Sequence, residues 1–190
     1  MRYQAEHKQE ARTKLLEAAG RGFRRLGYGG IGVDGLAKEA GVTSGAFYGH
    51  FKSKDAAFGA AALAGLEDLR AGIAGLQDKQ GARWAEAFIT FYLGERLTCA
   101  LDASCGLQSL TPDVTRASEP TKASYGAALE RVAQQIAAGV QGSSEQVRLQ
   151  KAWALMALLS GGVTMARSVA SPEARDAIAT HLKQAALALL

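Results

Sequence analysis

Residues 40–58 read AGVTSGAFYGHFKSKDAAF and carry five polar groups able to meet phosphate oxygens: Ser44, Tyr48, His50, Lys52 and Lys54. Gly45 and Gly49, set between them, would let a helix backbone lie close against another polymer. Thr43, Ser44 and Ala46 offer a hydroxyl or a methyl to a base edge. This is binding chemistry rather than bond-making chemistry. Around Cys105 and the histidines no acid–base partner stands at a catalytic spacing. The glycine run GYGGIG lacks the following Lys-Ser/Thr of a nucleotide loop and reads as a turn. Cys99 and Cys105 lie far from His7, His50 and His181, so no metal site and no cofactor are expected.

Such a stretch must be held by other elements, and the periodicity supplies them. Leu15, Ala19, Phe23 and Leu26 recur at helical spacing and predict a first helix from Glu6 to Leu26, ended by Gly27 in the left-handed position. A second helix is expected over Val33–Ala40. Gly41 then takes a positive φ in a tight turn, Val42 plugs the core, and Thr43 caps a short third helix from Ser44 to His50. Phe47 and Phe51, four apart, share the face that packs on the first two helices. Ser53 caps a fourth helix, with Asp55 in its first turn, and this helix runs to about Leu76. Helix, turn and short helix within 60 residues make a helix-turn-helix.

The rest also reads as helix. A fifth is expected over Ala82–Thr98, a short one over Gly106–Leu110, and a restart with Thr111 as cap and Pro112 at the first helical position. Pro120 should end or kink that helix, and another runs to about Val140. Ser143 and Gln146 have capping-box spacing, and Ser171 with Pro172 opens the last helix. The expected class is all-α, with residues 1–53 as the helix-turn-helix domain and 54–190 as a second helical domain.

The chain has 190 residues and a formal charge of +4. Residues 1–60 hold ten Lys and Arg against six Asp and Glu, so the whole excess lies in the first third. That is how a nucleic-acid-binding module joined to a neutral domain is charged. No apolar leader follows the N-terminal charges, and no apolar run reaches membrane-spanning length, so the expected location is the cytoplasm, away from membranes.

The segment IGVDGLAKEAGVTSGAFYGHFKSKDAAF closely resembles the DNA-binding segment of the TetR family of bacterial transcriptional regulators. The match falls on Leu36, Ala37, Ala40, Gly41, Val42, Gly45, Phe47, Tyr48, His50, Phe51, Ser53, Lys54 and Asp55. Two positions depart from it: Gly32 where the family often has Thr, and Gly49 where it often has a larger polar residue. The resemblance implies a repressor that binds a palindromic double-stranded operator as a homodimer and is released by a small-molecule effector. Its DNA-binding set would be Thr43, Ser44, Gly45, Ala46, Tyr48, Gly49, His50, Lys52 and Lys54. Direct base readout from these residues is thin, which leaves DNA shape, an N-terminal arm (Arg2, Lys8) or half-site spacing to add specificity.

The remaining expectations concern the second domain. An effector pocket is expected among Trp84, Phe88, Tyr92, Cys105, Leu107, Tyr125 and Trp153, although an aromatic stripe at helical spacing is equally a core. YLGERLTCALDASCGLQSL resembles a branch of the family with a Gly-Cys or Cys-containing turn before a Leu-x-x-Leu helix, some of whose members respond to electrophiles or oxidants through that cysteine; here the order is Cys105-Gly106. Leu149, Trp153, Met156 and Leu159 line one late helix, and Ile178, Leu182, Ala185 and Leu189 the other, as a dimer interface or as core. Gly161 and Gly162, in mid-helix, imply close helix–helix approach. A non-specific DNA-coating protein is the competing reading, and it would have no discrete operator.

Overall fold

The computed structural model describes residues 2–190, with side chains from Lys8 onward. Met1 and the side chains of residues 2–7, Arg2 and His7 included, lie outside the described residues. Among the described residues the chain is all-α. Its helices are α1 (Arg2–Gly30), α2 (Val33–Glu39), α3 (Ser44–Tyr48), α4 (Lys54–Gln80), α5 (Trp84–Leu93), α6 (Glu95–Thr98), α7 (Gly106–Val114), α8 (Glu119–Gly139), α9 (Glu145–Ser168) and α10 (Pro172–Ala188). Single 3₁₀ turns lie at Gly81–Arg83 and Leu101–Ala103. Packing divides the chain into two compact units: residues 1–65 with 101–125, and residues 66–100 with 126–190. The division between these units runs inside α4 and α8.

In the first unit, α1 buries Leu15, Ala18, Ala19 and Phe23 on one stripe. Leu36 and Ala37 of α2, Phe47 of α3, Phe51, and Ala57, Phe58 and Ala61 of α4 complete the core. The Phe23 and Phe58 rings meet edge to face, 5.3 Å between centroids. Each buried phenylalanine contributes about 1.5–3 kcal/mol relative to exposure.

Gly27 sits inside α1 at φ 71°, ψ 169°, a conformation closed to any residue with a Cβ. The bend turns Tyr28 away from the helix path. The Tyr28 N–H donates to Asp113 Oδ2 at 2.7 Å, and its hydroxyl donates to the Asp55 carboxylate. Its ring packs edge to face on Phe58 at 5.2 Å, and Lys54 Nζ stands 4.1 Å from the ring centroid. Arg24 Nε donates to the Asp102 carbonyl at 2.7 Å. One stretch at the end of α1 therefore holds both the start of α4 and α7.

In the second unit Trp84, Phe88, Ile89 and Tyr92 of α5 are buried, with Val132 and Ile136 of α8 and Leu155, Met156, Leu159 and Val163 of α9. Polar groups are matched where helices cross. Gln77 and Gln135 exchange bonds, with Gln77 Nε2 to Gln135 O at 2.8 Å and Gln135 Nε2 to Gln77 Oε1 at 2.7 Å. Trp84 Nε1 donates to Gly139 O at 2.8 Å. Arg167 Nη2 donates to the carbonyls of Arg96 at 2.6 Å and Cys99 at 3.0 Å.

Several local expectations hold. Gly41 has φ 67°. Thr43, Ser53 and Ser171 accept from the amides of Ala46, Ala56 and Ala174 at 3.2, 3.0 and 3.1 Å. A Cβ on Gly162 would lie 2.4 Å from Leu182 Cδ1, so α9 and α10 do approach closely there. Gly161, by contrast, meets nothing.

Others are corrected. Val42 is 40% exposed, not in the core: its amide closes the turn onto Ala37 O at 2.9 Å, and Leu36, Ala37 and Phe47 fill the space beneath. The expected Ala82–Thr98 helix breaks at Gly94 (φ −108°, ψ −94°). Helix α7 continues through Pro112, and Thr111 does not cap. Its hydroxyl bonds back to Leu107 O and pairs with Tyr125 OH at 2.7 Å. Pro120 stands in the first turn of α8, where its missing N–H costs nothing. The cap of α9 is Ser144, which accepts from Val147 N at 3.2 Å, one residue later than expected.

Two predictions follow from this packing. A Cβ on Gly106 would lie 2.9 Å from Gly65 Cα and 3.3 Å from its carbonyl carbon, backbone that cannot swing aside. Gly106→Ala should therefore cost about 1–3 kcal/mol by overpacking. Gly126→Ala, in α8 with nothing within 4 Å, should gain up to about 1 kcal/mol; thermal unfolding of the two variants measures both signs. Tyr28 and Tyr125 are pushed up to about 12, Tyr28 first by its bond to Asp55, then by burial and the Asp55 charge. For Tyr125 the first cause is burial, opposed by the Thr111 bond and aided by the neighbouring Cys105. Both phenols are thus held neutral in the fold. Their stabilisation is complete below the ordinary tyrosine value near pH 10 and is lost as pH rises toward 12. Ultraviolet titration should find two tyrosines ionising late, with stability falling over that window.

Candidate nucleic-acid interface

Helix α3 has only five residues, because its last turn tightens. Gly49 N bonds Ala46 O at 3.1 Å and His50 N bonds Phe47 O at 3.0 Å, so the helix closes at Tyr48 rather than His50. Phe47 is fully buried and Phe51 nearly so, their centroids 5.6 Å apart. That anchoring turns the opposite side of the helix outward. Gly45, Ala46 and Gly49 are exposed, and Tyr48 is 56% exposed, its ring edge to face with Phe47.

The flanks bear the cations. Lys52 is exposed and Lys54 is half-buried, its ammonium held over the Tyr28 ring. Such a cation–π contact positions the charge without neutralising it. Ser44 is engaged differently: its hydroxyl donates to the Asp34 carboxylate of α2, which keeps α2 and α3 in register. Gly32 is the N-cap of α2 and supplies no side-chain cap bond. On the other side of α3, Arg12 Nη1 donates to His50 O at 2.7 Å, and its guanidinium lies 4.7 Å over the Phe51 ring. Arg12, Tyr28 and Asp34 support the interface and have no local signal in the sequence, since each acts on a residue 10 to 38 positions away.

The nine residues Thr43 to Lys54 expected to meet DNA thus lie on one continuous segment, with Tyr48, Lys52 and the small residues outward and His50 and Lys54 half-buried. The expected effector residues fall in both compact units. Trp84, Phe88 and Tyr92 run along α5 in one unit, buried, with centroid spacings of 6.3 and 5.5 Å. Cys105, Leu107 and Tyr125 belong to the other, with Cys105 half-buried. Trp153 departs from the buried set, being 40% exposed. An open groove of about 630 Å³ follows α5, lined by Arg83, Glu86, Phe91 and Glu95 among others.

Of the expected interface residues, Met156 and Leu159 are buried within the single chain and belong to its own core. Leu149, Ile178, Leu182 and Leu189 are half-buried. The outward side of α9 instead carries Trp153, Ala154, Ala157, Gly161 and Met165, the last 59% exposed. Among the described residues no group of three His, Cys, Asp or Glu is arranged to hold a metal ion. No helix among them is long and apolar enough to cross a membrane.

Comparison with known proteins places this geometry. The family model for bacterial regulatory proteins, tetR family, matches residues 15–61, which run from the buried stripe of α1 through α2 and α3 into α4. No curated protein matches the chain. Among solved structures, NemR from E. coli in its reduced form superposes with a TM-score of 0.76 at 22% identity, covering 92% of this chain and 96% of that one. A TetR-family transcriptional regulator from Agrobacterium tumefaciens gives 0.75 at 18% identity, with 94% and 98% covered. Another, from Streptomyces coelicolor, gives 0.73 at 19%, with 95% and 94% covered. These likenesses extend the family's all-α fold over the parts of the chain beyond the matched segment. Residues 15–61 are thus similar to the DNA-binding segment of the tetR family of bacterial regulatory proteins, and the chain as a whole shares the all-α fold of solved TetR-family regulators.

Proposed function

We propose that the chain is a homodimeric repressor that binds a palindromic operator through α3 and releases it when an effector binds within residues 54–190. The observation that carries the reading is α3 itself: a five-residue helix clamped from behind by Phe47, Phe51 and Arg12, with Tyr48 exposed in front and Lys52 and Lys54 beside it. Phenol, imidazole and ammonium groups meet phosphates, while Thr43, Ala46 and exposed Val42 offer thymine methyls an apolar contact. The domain division at residue 53, the double-stranded operator as partner and a cytoplasmic location belong to this reading, as does action by binding rather than catalysis.

One such short helix makes few contacts, so affinity requires two copies on two half-sites. The outward side of α9, with Trp153, Met165 and small residues, supports α9 and α10 as the dimer face, and Gly161 has open space for a partner helix to approach. Leu149, Ile178, Leu182 and Leu189, half-buried, lie at its margin in this reading.

For the effector we keep the two chemistries open. A small apolar or aromatic molecule would displace packing around Trp84, Phe88 and Tyr92 or around Leu107 and Tyr125. An electrophile or oxidant would act on Cys105, a half-buried free thiol at the N-cap of α7.

Operator selection from random duplexes tests the first claim. The wild type should enrich one palindrome, and Tyr48→Ala should weaken binding to it by at least about tenfold. Binding without enrichment would favour a DNA-coating protein. For the effector, N-ethylmaleimide should release the wild type from that operator and leave Cys105→Ser bound. Equal release of both proteins would remove Cys105 from the mechanism, and release of neither would favour the non-covalent ligand.

A further inference from the structure

We infer that α1 and the end of α3 together form a seat for a backbone phosphate of the bound duplex, in addition to the contacts of Tyr48, Lys52 and Lys54. The inference rests on the operator-binding reading above. A cavity of about 320 Å³ opens between these two elements, lined by Lys8, Gln9, Arg12, Gly49 and His50, all in one compact unit. Its chemistry is one-sided. Among the described residues that line it, Lys8, Gln9, Arg12 and His50 carry N–H donors or positive charge, the other is a glycine, and none is a carboxylate.

The site is prepared before any ligand arrives. Arg12 is held by its bond to His50 O at 2.7 Å and by the Phe51 ring 4.7 Å beneath it, so little side-chain entropy remains to be lost on binding. The same bond covers a carbonyl at the end of α3 that would otherwise repel an oxyanion. Gly49 has no side chain to bar a close approach. The volume holds a phosphodiester group with bridging water.

Free inorganic phosphate has the same chemistry, yet the duplex is the occupant that the position favours. The cavity shares Gly49 and His50 with the recognition segment, and the chain's whole excess of positive charge lies in residues 1–60. A duplex strand meeting Tyr48 therefore has a cationic recess beside it.

The test uses the full chain and its selected operator, with affinity measured by fluorescence anisotropy across a salt series. Lys8→Met and Gln9→Glu should each weaken binding about tenfold and flatten the salt dependence by about one phosphate per protomer. Gln9→Lys should strengthen binding severalfold, a reversal of sign that a purely structural role would not produce. Lys14→Met removes the same charge from the same helix outside the cavity and should change affinity much less. Equal effects of Lys8→Met and Lys14→Met, or weakening by both Gln9 variants, would overturn the seat. So would a thermal stabilisation of the DNA-free wild type by inorganic phosphate that Gln9→Glu abolishes, since the cavity would then serve a free anion. A wild type that selects no operator would overturn the operator reading and the seat together. Operator binding with unaltered variants would overturn the seat alone.

Discussion

A helix of five residues cannot hold itself. Nucleation costs more than one turn of hydrogen bonds returns, and isolated helices of this length are unfolded in water. What makes α3 a rigid reading element is the burial of Phe47 and Phe51 against α1, α2 and α4, together with the Thr43 cap and the Arg12 bond to its far end. Every outward group of the interface inherits its position from that anchoring. Tyr48 faces away because Phe47 faces in, and Gly45 and Gly49 leave the outward backbone of the helix bare. The arrangement of the interface depends on this anchoring more than on any single polar residue.

A second node ties the same unit together. Gly27 bends the end of α1, and Tyr28 then reaches Asp55 and Lys54 at the start of α4, Phe58 one turn on, and Asp113 in α7. Residues from 27 to 113 are joined within a few ångströms by one tyrosine. Helix α7 begins at Gly106, pressed against Gly65 of α4. A change at Cys105 or Leu107 thus has a short, stiff connection to the helix that carries Lys54, and packed contacts of this kind respond by shifting whole elements.

How much of this the sequence disclosed depended on range. Caps and turns are decided within four residues, and Gly41, Thr43, Ser53 and Ser171 were legible for that reason. Prolines and serines near helix ends were harder. Pro112 sits within α7, where the Thr111 hydroxyl bonds back to Leu107 O and to Tyr125 instead of capping, and Pro120 sits in the first turn of α8. Gly94 breaks a helix whose apolar spacing continues through it. Val42 is apolar by type and yet exposed, since it sits in the turn whose backbone bond runs from its amide to Ala37 O.

The local pattern by itself determined the all-α class, the helix-turn-helix and the outward identity of Tyr48, since helical periodicity and a glycine turn leave the backbone few alternatives. It also carried the family resemblance, which resides in one contiguous segment. Only the tertiary structure decided that Arg12 and Tyr28 are the supports, that Met156 and Leu159 are core while Trp153 and Met165 face outward, and that Lys8 and Gln9 share a cavity with His50. Each of those facts joins elements distant in the chain or selects one side of a helix apolar nearly all round. A single residue's type carries no information about which side its neighbours will cover.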